Sequence, residues 1–164
     1  KQGDKLSVLD EIVIERASTV DACNEFVSRY PNHPADIVVY GDASGENMKT
    51  SGTTDFQMVR NFFQRRGYRR VQYIVPNSNP PVRDRITLVN ARFRNAEGEI
   101  GMYVSPKCKE LIKDFEEVSY RADTTLMDKG RDPRRTHLSD ALGYLIWQEW
   151  RPKAPIGERG HPLI

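Results

Sequence analysis

Apolar and polar residues follow two periods along this chain, one typical of strands and one typical of helices. From Leu6 to Arg16 most apolar residues recur at every second position, and Leu9 and Val13 fall on the opposite face. This pattern predicts a strand buried largely on both faces. Short apolar runs predict further strands at 36–40, 71–75 and 100–104, the first of them an interior strand. Strands that alternate with helices indicate an α/β fold, with helices packed on a sheet.

Helix starts are signalled by residues that can cap a first turn. Ser18 with Asp21, and Thr54 with Gln57, have capping-box spacing and predict helices that end before Pro31 and near Gly67. Another helix is predicted at 82–93, with the apolar face Val82, Ile86, Val89 and Phe93 and the polar residues Arg83, Asp84, Arg85 and Arg92. The last two helices are predicted after Pro106 and from about Thr136 to Trp150, with an exposed, mobile loop between them at 121–135.

The length of 164 residues suits one domain, which we place at 1–150, followed by an extended, proline-containing tail at 151–164. Lysine and arginine number 25 against 23 acidic residues, so total charge does not identify a nucleic-acid partner. Cys23 and Cys108 lack metal or redox spacing and are expected to be small hydrophobes in a reducing compartment. Without a signal peptide or a membrane-length apolar run, the sequence predicts a soluble protein that is not secreted.

Two acidic residues form the candidate site. Asp42 ends the apolar run 37–41, and Asp140 lies in the opening turn of the last predicted helix. Carboxylates on such rigid elements, if they converge, are suitable ligands for Mg²⁺ or Mn²⁺. Structural alternatives stay open for both, because Asp42 alone suits an Asx turn and Asp140 alone suits a helix N-terminus.

Polar and basic residues surround these two positions in the sequence. His137, Asp140, Tyr144 and Gln148 form one polar helical stripe, in which His137 also suits an ordinary solvated position. The basic residues chosen as candidate DNA contacts are Arg83, Arg85, Lys129, Arg131, Arg134 and Arg135. Guanidinium groups near a metal would suit a phosphodiester backbone, although such charge runs are usually solvated surface. Residues 41–45 match neither a phosphate-binding loop nor a serine nucleophile elbow.

Four stretches of the chain resemble the C-terminal nuclease domain of the large terminase subunit from tailed double-stranded DNA bacteriophages. They are residues 9–12, residues 39–45, residues 79–86 with 89–91, and residues 137–144. The resemblance extends from near residue 6 to about residue 150. It implies a ribonuclease-H-like fold, a mixed sheet flanked by helices, with an acidic cluster that binds Mg²⁺ or Mn²⁺.

The resemblance implies a role for each candidate residue. Asp42 is similar to the second acidic ligand of the family and Asp140 to the last, and His137 matches a histidine one helical turn earlier. The implied activity is endonucleolytic cutting of concatemeric viral DNA at the start and end of packaging, with little sequence preference. Two cations between them would activate water and stabilise the leaving oxygen.

The resemblance also implies binding partners and a location in the cell. The expected partners are double-stranded DNA, the small terminase subunit, the portal protein and an ATPase domain upstream of residue 1. The expected place is the host cytoplasm, transiently at the portal vertex of the procapsid, with no membrane.

One feature of the family has no counterpart in the sequence. The family's first catalytic aspartate lies in an N-terminal hairpin upstream of the Leu6 strand, so we expect one metal ligand to be missing here. This absence leaves open a non-catalytic module of the packaging motor that docks DNA or the portal. A separate alternative is a related ribonuclease-H-like enzyme such as a junction resolvase.

Overall fold

The computed structural model of the chain describes residues 4–31, 33–50, 52–120, 127–128 and 135–152. The helices are α1 (Thr19–Arg29), α2 (Asp55–Arg65), α3 (Val82–Phe93), α4 (Lys109–Glu117) and α5 (His137–Trp150). The strands are β1 (Leu6–Val8), β2 (Ile37–Tyr40), β3 (Val71–Ile74), β4 (Met102–Val104), β5 (Ser119–Tyr120) and β6 (Met127–Asp128). A short 3-10 helix, Ala43–Glu46, follows β2. This order of strands and helices confirms the predicted α/β class.

The described strands pair two by two. β1 lies parallel to β4, β2 lies parallel to β3, and β5 is antiparallel to β6. The register of the second pair places Tyr40 opposite Ile74, so the loops that follow β2 and β3 leave from the same edge. Among the described residues these pairs are not joined into one sheet. The ribonuclease-H-like arrangement therefore stays a prediction.

The main core lies where α3 and α5 pack against β1 and β4. Its buried members are Leu6, Val89, Met102 and Ile146. α4 joins this core through Phe93 and Phe115, whose rings meet edge to face with centroids 4.9 Å apart. Burial of these apolar side chains holds α3, α4 and α5 against one another. Of these helices, α3 carries the candidates Arg83 and Arg85, and α5 carries His137 and Asp140.

Local signals predicted the helices well. Ser18 and Asp21 form the expected capping box of α1, with Ser18 N–H donating to Asp21 Oδ2 at 2.8 Å. The Thr54 hydroxyl accepts the backbone N–H of Gln57 at 3.1 Å and caps α2. The predicted bounds of α3 are also those observed. These hydrogen bonds span only three residues, which is why the sequence alone reveals them.

The prediction of one long strand at 6–16 is wrong. Strand pairing ends at Val8, residues 9–14 have no regular structure, and Leu9 and Val13 are 72% and 51% exposed. The chain leaves β4 at this point because Asp10 accepts a hydrogen bond from the Tyr30 hydroxyl at 2.8 Å and Glu11 binds the start of α4.

Two further packing expectations need correction. Arg85, predicted on the polar face of α3, is only 3% exposed, whereas Val82, predicted on its apolar face, is 44% exposed. The reason is that Arg85 has an acidic partner on α5.

The predicted exposed loop 121–135 contains β6, and the side chain of Arg135 is only 14% exposed. Residues 121–126 and 129–134 lie outside the described residues, as do residues 153–164 of the predicted tail. No described helix is both long enough and apolar enough to cross a membrane.

Candidate functional site

Asp42 lies two residues beyond the last residue of β2 and caps the 3-10 helix Ala43–Glu46. Its Oδ1 accepts the backbone N–H of Gly45 at 3.1 Å and the hydroxyl of Ser44 at 2.5 Å. Its Oδ2 makes no hydrogen bond to a described residue. The local role that the Asx-turn alternative anticipated is therefore present, and it occupies one of the two carboxylate oxygens.

The loop that carries Asp42 rests on an aromatic ring from α2. A Cβ atom added to Gly41 would lie 2.3 Å from Phe56 Cζ, and one added to Gly45 would lie 2.5 Å from Phe56 Cε2. Phe56 is buried, at 6% exposure. Only glycine at these two positions lets the backbone approach the ring this closely, so the two glycines allow the loop that carries Asp42 to pack directly on α2.

A residue from the neighbouring strand holds the same loop. Asn79 follows β3, and its Oδ1 accepts the backbone N–H of Ala43 at 2.7 Å. Asn79 belongs to the stretch 79–86 that resembles the terminase family, yet its role was not predicted from the sequence. The parallel pairing of β2 and β3 brings it to Asp42, and no local pattern could reveal this contact.

Asp140 lies in the first turn of α5, and its carboxylate points at a buried arginine of α3. Asp140 Oδ1 accepts a hydrogen bond from Arg85 Nη2 at 2.6 Å. The Arg85 side chain is 4% exposed, whereas that of Asp140 is 42% exposed. Asp140 Oδ2 makes no hydrogen bond to a described residue.

The residues around this ion pair fit closely against the Arg85 side chain. The Tyr144 ring lies under the Arg85 guanidinium, with 4.2 Å between its centroid and Cζ. A Cβ atom added to Gly143 would lie 3.0 Å from Arg85 Cγ and Cδ. Arg85 and Asp140 also line a cavity of about 390 Å³ between α3, α4 and α5. Its volume leaves room for several water molecules or a hydrated ion beside the carboxylate.

His137 is the first residue of α5 and is exposed. It lines a cleft of about 950 Å³ between the segment 12–16 and the facing surfaces of α4 and α5. The residue before it, Thr136, is buried and has the left-handed backbone conformation at φ 88°. The structure therefore fixes where His137 leaves the chain, and its predicted catalytic role stays a prediction.

Arg135, predicted to contact DNA, faces α4 instead of open solvent. Its Nη1 lies 3.2 Å from Glu110 Oε2 and 3.5 Å from Asp114 Oδ1, and its Nε lies 3.3 Å from Glu117 Oε2. A hydrogen bond from Lys113, together with the one from Arg135, lowers the pKa of Glu110. These contacts give Arg135 a structural role at the junction of α4 and α5.

The other candidate DNA contacts fall into three situations. Arg83 is exposed on α3, as a phosphate contact requires. Arg85 is buried against Asp140, so it presents almost no surface to a DNA backbone. Lys129, Arg131 and Arg134 lie outside the described residues.

The donor chemistry of Asp42 and Asp140 fits a hard divalent cation, because each has one carboxylate oxygen without a protein partner among the described residues. Within the described part of the chain there is no group of three or more His, Cys, Asp or Glu side chains that could hold a metal ion. Arg85 holds the other carboxylate oxygen of Asp140, Oδ1. Comparison of the chain with protein-family models, with curated proteins and with solved structures finds no match.

Proposed function

We propose that this chain is a divalent-metal-dependent DNA endonuclease with a ribonuclease-H-like fold, similar to the nuclease domain of phage terminase large subunits. The observation that carries the proposal is the state of the two carboxylates. Asp42 and Asp140 are each fixed through Oδ1 by a protein donor, and each leaves Oδ2 without a partner among the described residues. A carboxylate that is held by one oxygen and open at the other is a preorganised metal ligand.

The residues have distinct parts in this proposal. Asp42 and Asp140 would hold Mg²⁺ or Mn²⁺, and the resemblance to the terminase family implies two ions. The metal would stabilise charge at the phosphate and activate a water molecule. His137 would orient a water or a phosphate oxygen from its exposed position on α5. Arg83 would contact the DNA backbone, which carries affinity without sequence information.

The wider setting is part of the same proposal. The substrate would be concatemeric double-stranded viral DNA, cut in the host cytoplasm at the portal vertex of the procapsid. The partners would be the small terminase subunit, the portal protein and an ATPase domain upstream of residue 1. The resemblance in residues 9–12, 39–45, 79–86 with 89–91, and 137–144 supports this setting.

A second candidate is a non-catalytic docking module of the packaging motor. It is favoured by the local contacts of the two carboxylates, because Asp42 caps a 3-10 helix and Asp140 neutralises a buried arginine. Both side chains therefore have a structural use that needs no metal. In this case the domain would bind DNA or the portal, and cutting would be absent.

A plasmid assay separates the two candidates. Supercoiled plasmid is incubated with the chain and Mn²⁺, and the chain is compared with Asp42→Asn, Asp140→Asn and the control Asp84→Asn. Asp84 is exposed on α3, so its change removes the same charge outside the proposed site. The nuclease proposal expects nicking by the wild-type chain and Asp84→Asn and a loss of at least tenfold in the other two.

Equal nicking by all four proteins would reject the site assignment. No nicking by any, with retention of plasmid in a gel-shift assay, would favour the docking module. Preference for four-way junctions over linear duplex would instead identify a resolvase.

A further inference from the structure

Arg85 is a buried cation in which one terminal nitrogen of the guanidinium has a hydrogen-bond partner and the other has none among the described residues. It is 3% exposed, its Nη2 donates to Asp140 at 2.6 Å, and its buried Nη1 has no hydrogen-bond partner among the described residues. A guanidinium that is almost removed from water needs its carboxylate partner, because a buried charge without one is strongly unfavourable. The ion pair with Asp140 is thus the main compensation for the burial of Arg85.

Two neighbours keep the guanidinium at the carboxylate. The face of Tyr144 lies 4.2 Å from Arg85 Cζ, which favours a cation at that place. Gly143 has no side chain, and a Cβ atom at this position would lie 3.0 Å from Arg85 Cγ and Cδ, so the Arg85 methylene groups pass close to the backbone of α5. Arg85 therefore reaches Asp140 through a fitted space and is not a mobile surface side chain.

This position sets Arg85 in competition with any metal at Asp140. The guanidinium holds Oδ1, so a divalent cation has only Oδ2 of that carboxylate while the ion pair is intact. A cation bound at Oδ2 would also lie close to the positive charge of the Arg85 guanidinium, which is itself almost completely buried, and the two charges would repel each other. Both effects weaken metal binding.

We propose that Arg85 is a resident counter-cation of Asp140 that restrains the loading of a divalent metal at this carboxylate. The inference rests on the proposed function, because it takes Asp140 as a metal ligand. It adds a restraint from within the chain itself. Both carboxylate oxygens of Asp140 become available to a metal ion only when the hydrogen bond from Arg85 to Oδ1 is weakened.

The test measures Mn²⁺ binding and not cutting. The free Mn²⁺ signal is followed by electron paramagnetic resonance during titration of the wild-type chain, Arg85→Met and Arg85→Gln. Met keeps the unbranched apolar part of the side chain without charge, and Gln keeps a polar, hydrogen-bonding side chain without charge. Arg94→Met is the matched control, since Arg94 is exposed just beyond the other end of α3. Circular dichroism establishes that each variant is folded.

We expect Mn²⁺ to bind at least fivefold more tightly to Arg85→Met and Arg85→Gln than to the wild-type chain, and Arg94→Met to bind within twofold of wild type. Arg85→Met combined with Asp140→Asn should bind no more tightly than Asp140→Asn alone, because the effect acts through that carboxylate. If Arg85→Met does not fold, Arg85→Gln carries the same expectation.

Equal affinity in the wild-type chain and in a folded Arg85 variant would overturn the inference. An equal gain with and without Asp140 would also overturn it, because the effect would then be general charge removal. Binding that depends on Asp140 and tightens without Arg85, in a chain that does not nick plasmid, would support the inference while rejecting the proposed nuclease activity. The two failures are therefore distinguishable.

Discussion

The carboxylate of Glu11 caps the helix that carries Leu111. Glu11 Oε2 accepts the backbone N–H of Leu111 at 2.9 Å, and its Oε1 accepts that of Glu110 at 2.9 Å. The residue at the cap position of α4, Cys108, makes no side-chain cap hydrogen bond. A residue from the segment after β1 therefore satisfies the first turn of α4, where free N–H groups and the helix dipole favour a negative charge.

We expect Glu11→Ala to lower the free energy of unfolding by about 1–2 kcal/mol, because two helix N–H groups lose their acceptor and the helix loses a favourable charge. Glu11→Gln should cost less, since the amide oxygen keeps one of the two contacts. Urea denaturation followed by circular dichroism measures both. The control is Glu97→Ala, at an exposed turn position. An equal midpoint for Glu11→Ala and Glu97→Ala would show that the cap contributes no stability.

The pH dependence of stability should contain a contribution from Asp10. The hydrogen bond from Tyr30, followed by those from the Glu11 backbone and Arg29, holds the pKa of Asp10 below its ordinary value. A lowered pKa means that the folded state favours the charged carboxylate. The stabilisation is therefore fully present above the ordinary value of about 3.9 and is lost as the pH falls through the lowered value.

We expect Tyr30→Phe to lower the urea midpoint at pH 6, and the difference from wild type to shrink as the pH falls below about 4. Tyr103→Phe is the control, because Tyr103 is 50% exposed. A difference between Tyr30→Phe and wild type that is constant from pH 6 to pH 2.5 would contradict the link to Asp10.

The glycines that flank Asp42 should not tolerate a methyl group. Gly45→Ala would force its Cβ against the buried ring of Phe56, so we expect a loss of about 1–3 kcal/mol in unfolding free energy. Phe56→Leu removes the ring edge, and the double variant should therefore lose less than the sum of the two single changes. Thermal or urea denaturation of the four proteins completes the cycle. Strict additivity would show that the loop moves away from α2 without cost.

The two cysteines should be slow to react in the folded chain. Both are free and buried, with Cys108 at 0% and Cys23 at 8% exposure. Burial raises the pKa of Cys23, and burial together with the charges of Glu11 and Asp10 raises the pKa of Cys108. Because the thiolate is the reactive form, few thiolates are available near neutral pH.

We expect neither thiol to react with a chromogenic disulfide reagent within minutes at pH 7.5, and both to react in concentrated urea. Absorbance during the reaction measures the number of thiols labelled. Rapid labelling of one thiol in the native chain would mean that α1 or the start of α4 opens readily.

Much of the local structure of the candidate site could be predicted. Asp42 was expected after a strand and Asp140 in the first turn of a helix, and both expectations are correct. Their partners could not be predicted. Arg85 pairs with Asp140 across 55 positions, and its place in a helical pattern indicated a polar surface residue. Helical periodicity indicates which face of a helix a residue occupies, but it does not indicate that a buried arginine will find a carboxylate partner on another helix.

The sequence by itself determined the α/β class, the capped starts of α1 and α2 and the bounds of α3, because capping and periodicity act over three or four residues. Only the tertiary structure decided that Glu11, beyond the end of β1, caps α4, that Asn79 holds the Asp42 loop, and that Arg85 lies against Asp140. Each of these contacts joins residues at least 36 positions apart. They form because the packing of strands and helices brings a donor and an acceptor together in space, and no pattern within a single segment specifies that meeting.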